Sequence, residues 1–368
     1  MAMLDGLTPA QFMRRHWQKK PLLIRNAFPV DAPLLSRQDL FAMAGDEAVE
    51  SRLIAHRASG WVLKHGPFPR TALPPLKQPR WTLLVQGLDL HLEAAHALLR
   101  RFRFVPDARL DDVMVSWASD GGGVGPHFDS YDVFLWQASG QRRWRIGRQK
   151  DLSLQPDVPL KLLSHFEPEE EHLLGPGDML YLPPRWAHDG VAEGGDCMTV
   201  SVGFRAPQRG GLAGELLQRM ADASEDETLY RDPTQPATST PAAMPEGLQA
   251  FARDALERLL AERGSLDCAL GEVMTEPKPR VWFVEPEQAW QPGAIRLDRR
   301  TRMMYDERHV FINGESFRAG GADARLMRRL ADRRGLSAAE VGRASADAQA
   351  LLGDWFEAGW LHPSATCI

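Results

Sequence analysis

Long apolar runs are missing from these 368 residues. No stretch approaches the length of a membrane span, and no basic start is followed by an apolar segment, so neither insertion nor export is expected. The cytoplasm is the expected compartment. Cysteine is scarce. Cys197, Cys268 and Cys367 are scattered, odd in number and never paired as Cys-x-x-Cys, which argues against a disulfide framework or a cysteine zinc site and reads as reduced structural thiols. A dominant charge is lacking too: a net charge of -5 argues against a chain-wide phosphate-backbone binder and suits a basic partner. No internal repeat is visible. What remains is an ordinary composition, 43% hydrophobic, in a chain long enough for two or three packed domains.

The pattern changes along the chain. Phe12, Met13 and Trp17 have helical spacing, Lys19-Lys20-Pro21 breaks it, and the β-prone Leu22-Leu23-Ile24 follows. Between residues 110 and 205 short strands are expected at 113–117, 133–136, 143–146, 179–182 and 198–204, separated by Gly and Pro. Such a succession reads as a sandwich or jelly roll, a scaffold that aims side chains from different strands into one cavity. After Arg205-Ala206-Pro207 the sequence favours helices, over 211–222 and 246–263, around an exposed loop at 232–245. Their apolar faces need cover, either from the barrel or from a second copy of the chain.

Strands are expected again at 280–284, 294–297 and 309–312, with Asn313-Gly314 as a turn, then helices over 322–333 and 338–353. That order fits a small winged-helix-like domain. Arg325, Arg328, Arg329, Arg333 and Arg334 form a basic run, but acidic residues surround it and a solvated helix face is the expectation, so direct nucleic-acid binding is not.

Three residues carry the chemistry. His127 and Asp129 stand two apart in Gly-Gly-Gly-Val-Gly-Pro-His-Phe-Asp, so on a strand they share a face, and His188 arrives from a distant strand. Two histidines and one carboxylate on one side of a metal make the facial triad of non-haem iron(II) oxygenases, which leaves the opposite side open. The same donors suit zinc, but a hydrolytic site needs a placed general base, and none is identified. The glycines at 121–123 allow a tight turn into the strand. Arg142, fifteen residues after His127, follows the expected turn Ala138-Ser139-Gly140 and offers a bidentate fork to a dicarboxylate co-substrate such as 2-oxoglutarate. Arg143 is expected on the other face, solvated or paired. Ser116, and Thr199 or Ser201 on a later strand, are candidate hydroxyl donors to the same co-substrate.

These motifs bring a resemblance. His127-Phe128-Asp129, Tyr131-Asp132-Val133-Phe134, Gly140-Gln141-Arg142-Arg143-Trp144, Pro176-Gly177-Asp178, Tyr181-Leu182-Pro183-Pro184, His188 and Ser201-Val202-Gly203-Phe204-Arg205 resemble the JmjC-type 2-oxoglutarate oxygenases of the cupin superfamily. Within them the chain is most similar to the bacterial ribosomal oxygenases that hydroxylate an arginine of large-subunit ribosomal protein L sixteen. His16-Trp17-Gln18-Lys19-Lys20-Pro21 and Gly66-Pro67-Phe68 belong to the same pattern. The resemblance implies an α+β protein: a JmjC/cupin double-stranded β-helix (jelly roll) with flanking helices over 1–207, a helical dimerisation segment over 208–270, and a C-terminal winged-helix-like domain over 271–368.

It further implies Fe(II) on His127, Asp129 and His188, 2-oxoglutarate on Arg142, dioxygen as co-substrate, a homodimer, and a basic ribosomal protein as substrate. Asp120 and Tyr131, near the triad in sequence, are apt for gripping a guanidinium. Two other readings exist: a JmjC oxygenase or demethylase acting on another protein or a small molecule, and a non-catalytic cupin-like module whose winged helix binds nucleic acid.

Overall fold

Two long bent strands organise the first half of the chain. The computed structural model describes residues 2–29, 34–262 and 264–364, so Cys367 lies outside the described residues. The chain divides into two compact units, Met1–Ala206 and Pro207–Ile368.

The first unit opens with helix α1 (Pro9–Arg15). Thr8 starts it with a capping box: its hydroxyl accepts from Gln11 N at 3.2 Å while Gln11 Oε1 accepts from Thr8 N at 2.8 Å. There follow β1 (Leu22–Ile24), α2 (Arg37–Met43), β2 (Ser51–Arg57), β3 (Gly60–His65), β4 (Trp81–Val85), α3 (Leu88–His91) and α4 (Glu93–Arg100). The barrel strands are β5 (Leu110–Ala118), β6 (Val133–Gly147), β7 (Glu170–Leu174), β8 (Met179–Leu182) and β9 (Ala187–Phe204).

Strands β6 and β9 pair antiparallel along their whole length, but the register shifts between Gln137 and Gln141. A bulge bends a strand, and here each half of the ribbon serves a different sheet. The 133–139 half of β6 pairs with β8 and with the end of β9, which in turn pairs with β5. Its 141–147 half pairs with β7 and with the start of β9, where His188 bridges to His127. The result is a double-stranded β-helix of two facing sheets. Strand β1 extends the first sheet beyond β8, and β4, β2 and β3 extend it beyond β5.

The segments 133–136 and 143–146, read as separate strands, are therefore one, and Ala138-Ser139-Gly140 is a bulge rather than a chain reversal. Gly140 sits at φ +64, and a Cβ there would lie 2.8 Å from Cys197 Cα, so only glycine lets the two strands stay this close.

Alternation sorts the side chains. Val113, Val115, Trp117, Phe134, Trp136, Val200 and Phe204 face outward into a core with Phe12, Leu98 and Phe102. Val133, Leu135, Leu180 and Leu182 face inward and meet Trp144, Ile146, Leu174 and Trp186 from the second sheet. Each large apolar side chain so buried contributes about 1.5–3 kcal/mol. Asp132 is buried on the outer side, where its carboxylate accepts from Tyr181 Oη at 2.6 Å and Gln18 Nε2 at 3.0 Å.

The second unit contains α5 (Arg209–Asp222), α6 (Glu246–Ala261) and α7 (Ser265–Thr275), then β10 (Ile295–Leu297), β11 (Met303–Tyr305), β12 (His309–Ile312) and β13 (Glu315–Arg318). It closes with α8 (Gly321–Arg333), β14 (Gly335–Leu336), α9 (Ala338–Val341), α10 (Ala346–Glu357) and β15 (Leu361–Pro363). Asn313 and Gly314 both have positive φ, 50° and 89°, and turn β12 into β13 as a tight hairpin. Leu330, Leu336, Val341, Leu352, Trp355 and Leu361 fill its core.

Two expectations fail here. Residues 280–284 form no strand: Trp282 and Val284 are 75% and 70% exposed, so the apolar alternation there buries nothing. The single helix expected over 338–353 is two, because Ser345 caps a fresh start by accepting from Ala348 N at 3.1 Å. The basic run on α8 is tied down locally. Arg329 and Arg333 reach Glu340, Arg328 binds the carbonyls of Asp306 and Glu307, and Arg334 those of Asp298 and Thr301.

Candidate metal centre

His127 and His188 meet through their backbones. His127 N donates to His188 O at 3.0 Å and His188 N returns the bond at 2.8 Å. Residues paired this way project side chains to the same side, and the two imidazoles lie 4.2 Å apart by ring centroid. Asp129, two residues on, brings Oδ2 to 3.7 Å from His188 Nε2. That is too long for a good hydrogen bond and suits two atoms sharing an ion. One donor atom from each of the three residues lies within 4.8 Å of the others.

The tautomers are set by the chain itself. His127 Nδ1 is 2.9 Å from Gly125 O, and His188 Nδ1 is 2.9 Å from Trp186 O. A carbonyl only accepts, so each Nδ1 carries the hydrogen and each Nε2 keeps its lone pair for a metal. Burial, and after it the neighbouring His127, push His188 down to about 4, so its imidazole is neutral at physiological pH. Two imidazoles and a carboxylate fit a divalent first-row ion, and on one side only they fit iron(II).

Arg142 occupies the same lumen. It pairs with Ala192 four residues beyond His188 on β9, so both face inward beside Trp144 and Ile146. It is 3% exposed, touches Gly190 O only at 3.5 Å, and its Nε and Nη2 are buried with no hydrogen-bond partner. A buried guanidinium without an acceptor is costly, and an anionic ligand is the remedy the site lacks from its own residues. The Trp144 ring lies over Gly190, where any Cβ would come within 2.6–2.8 Å of it. Glycine there leaves the space between triad and arginine to the indole wall. Arg143 faces outward and pairs with Glu171 and Glu193.

The other candidate residues are placed differently. Ser116 and Thr199 are opposed in the β5–β9 ladder and both buried on the lumen side. The Thr199 hydroxyl donates to Gln137 Oε1 at 2.9 Å, so its hydrogen is committed, and Ser116 Oγ lies 3.4 Å from Thr199 O. Tyr131 is 39% exposed, and its hydroxyl is pushed up by desolvation and then by the Asp129 carboxylate. Asp120 stands apart from the cluster: its Oδ1 accepts from Gly194 N at 2.9 Å, six residues past His188 on β9. Sequence reasoning overlooked Gln137, which binds Thr199, Cys197 Sγ and Ser139 O inside the barrel. Its signal was a lone amide at the inward position of an otherwise apolar run.

A double-stranded β-helix bearing this donor set, with an unpaired arginine in the same lumen, defines a JmjC-type oxygenase. The JmjC domain family matches residues 97–212, and the ROXA-like winged helix family matches residues 258–362. The chain is 36% identical over 290 residues to the ribosomal protein uL16 3-hydroxylase of Escherichia coli, covering 77% of this chain and 76% of that one. The chain belongs to the ribosomal oxygenases of the JmjC class. The crystal structure of the E. coli protein YcfD is similar over 97% of this chain and 98% of that one, at 30% identity and a TM-score of 0.85. A structure of YcfD in complex with cobalt and 2-oxoglutarate matches over the same shares with a TM-score of 0.82.

Proposed function

We propose that this protein is an Fe(II)- and 2-oxoglutarate-dependent oxygenase that hydroxylates an arginine side chain of large-subunit ribosomal protein uL16, the L sixteen of the older nomenclature. The observation that carries the reading is one lumen holding both the His127, Asp129, His188 cluster and the buried Arg142, whose Nε and Nη2 have no partner. The substrate is supported by the E. coli relative named as a uL16 3-hydroxylase.

His127, Asp129 and His188 hold the iron, and Arg142 takes the distal carboxylate of 2-oxoglutarate. Bound together, these two cofactors supply dioxygen activation and delivery of one oxygen atom to a C–H bond. The chain does the rest. The two Nδ1 bonds to Gly125 and Trp186 fix the ring orientations so that both Nε2 atoms are aimed at one point. Trp144, Ile146 and Leu174 wall the lumen against water. Ser116 and Thr199 line its first sheet, and Tyr131, half-exposed beside Asp129, stands where a substrate side chain approaches. Asp120, held by Gly194 N away from this cluster, is left out of the proposed substrate contacts. A substrate held close to the metal is what converts activated oxygen into a selective hydroxylation.

Residues 1–207 form the catalytic domain, 208–270 the dimerisation segment and 271–368 the winged-helix domain. Helix α6 buries none of its side chains, and Leu256 and Leu260 are 53% and 54% exposed, which a second copy of the chain would cover. No described helix is long and apolar enough to cross a membrane, and the cytoplasm is the compartment in which a ribosomal substrate would be met.

The test is turnover. Purified protein with Fe(II) consumes 2-oxoglutarate faster when a peptide of the basic ribosomal target is added, and the peptide gains the mass of one oxygen. Unchanged turnover and unchanged peptide mass under reducing conditions would refute the reading.

A further inference from the structure

Two side chains from outside the segments that carry the metal ligands press on the peptide that orients His127. Gly125 has φ +78, and a Cβ built on it would lie 2.9 Å from Leu162 Cδ2, 2.9 Å from Trp61 Cζ2 and 3.2 Å from Trp61 Cη2. The glycine is thus seated between an indole edge from β3 and a leucine from the connection between β6 and β7. Leu162 is 1% exposed. The next peptide is pinned by the same connection, since Leu163 N donates to Pro126 O at 2.9 Å. From the opposite side the run is pressed on β9: a Cβ on Gly123 would meet Gly190 O at 2.6 Å. The outer face of Trp61 is backed by His56, with ring centroids 4.4 Å apart and an 18° interplanar angle.

Gly125 O is the acceptor for His127 Nδ1. Glycine is the residue least able to hold its own carbonyl in one direction, because its backbone samples both signs of φ freely. Trp186, which plays the same part for His188, is anchored by its own ring in the lumen core. The asymmetry implies that His127 needs an external clamp and His188 does not.

We infer that Trp61 and Leu162 are positioning residues for the metal, holding the Gly125 carbonyl where it fixes the tautomer and aim of His127. The inference rests on the metal reading above and deepens it. Both act through one peptide. Outer residues that orient a ligand histidine typically change metal affinity about 10–100-fold when removed, and a comparable loss is expected here.

The experiment is a Co(II) titration of the full-length protein, followed by visible absorption, for wild type, Trp61→Ala, Leu162→Ala, Trp61→Phe and Leu162→Val. Trp61→Ala and Leu162→Ala should weaken Co(II) binding about 10–100-fold and change the band shape, while Trp61→Phe restores most of the affinity. Far-UV circular dichroism identifies any variant that does not fold, and the milder Trp61→Phe and Leu162→Val then carry the test with a smaller loss in the same direction. Folded Trp61→Ala and Leu162→Ala, or Leu162→Val where these do not fold, binding Co(II) within about twofold of wild type and with an unchanged spectrum would overturn the inference. A wild-type protein that binds no Co(II) would instead overturn the metal reading itself.

Discussion

His127 and His188 are joined twice, through reciprocal backbone hydrogen bonds of 3.0 and 2.8 Å and through imidazoles 4.2 Å apart. The ladder that closes the second sheet is therefore the same contact that builds the donor set. Changing either side chain should empty the site while sparing the fold, because the backbone bonds do not depend on the ring. For His188→Ala we expect metal affinity to fall by more than the roughly 10–100-fold typical of outer-sphere changes. Co(II) binding and 2-oxoglutarate consumption should vanish together, with the far-UV spectrum retained.

Arg142 makes a separable prediction. Arg142→Met removes a buried charge with two unpartnered nitrogens, so the metal-free, ligand-free protein should gain about 1–4 kcal/mol in stability. The same change should abolish the rise in Tm that 2-oxoglutarate gives wild type, since only a ligand bound to the native state stabilises it. Thermal melts with and without the dicarboxylate read both effects. A variant that lost stability and kept the ligand response would show that Arg142 serves the fold alone.

Acid sensitivity should reside partly in the second unit. Burial works to raise the Asp298 carboxyl, but hydrogen bonds from His362 and then Arg300 outweigh it and hold it well below its usual value. A carboxylate depressed in the folded state stabilises above its unfolded value near pH 3.8 and loses that contribution as the pH falls below it. Asp298→Asn should therefore cost about 1–3 kcal/mol at neutral pH, with the difference from wild type shrinking once the pH drops under that value. Denaturant melts across the acid range measure it.

The exposed stripe of α6 sets the oligomeric prediction. Leu256→Glu with Leu260→Glu should leave the far-UV spectrum unchanged, because both side chains are already more than half exposed in the single chain, while the melting temperature loses what the dimer contact adds. Light scattering should then show a monomer where wild type is a dimer. A wild-type monomer would contradict the assignment of this helix.

The metal cluster was legible because it depends on local rules. Period-two spacing puts His127 and Asp129 on one face, and His188 stands at the start of a strand that follows a turn, a short strand and a proline break. The two-sheet architecture was legible as a run of short strands, but not the continuity of β6, since Gly140 reads as a turn in sequence and is a bulge in the fold. Arg142 stood out as an arginine on an inward strand position, whereas its lack of a partner is a property of the closed lumen. Thr199 looked free, yet its hydroxyl is taken by Gln137, sixty-two residues away. Trp61 and Leu162 were invisible for the same reason: their meeting at Gly125 depends on how β3 and a long connection close over the irregular segment that carries His127 and Asp129, which forms only an isolated bridge where a strand is expected. The strand expected at 280–284 failed because alternation marks a strand only where another strand offers a partner.

The mass of the substrate is the most direct measure of the proposed reaction. Incubating the purified protein with Fe(II), 2-oxoglutarate, dioxygen and uL16, then weighing the intact ribosomal protein and locating any change by fragmentation, tests metal, co-substrate and target at once. We expect the mass of one added oxygen on an arginine, matched by an equal yield of succinate and lost with His127→Ala. An unmodified uL16, in a preparation shown to bind both metal and 2-oxoglutarate, would contradict the proposed substrate.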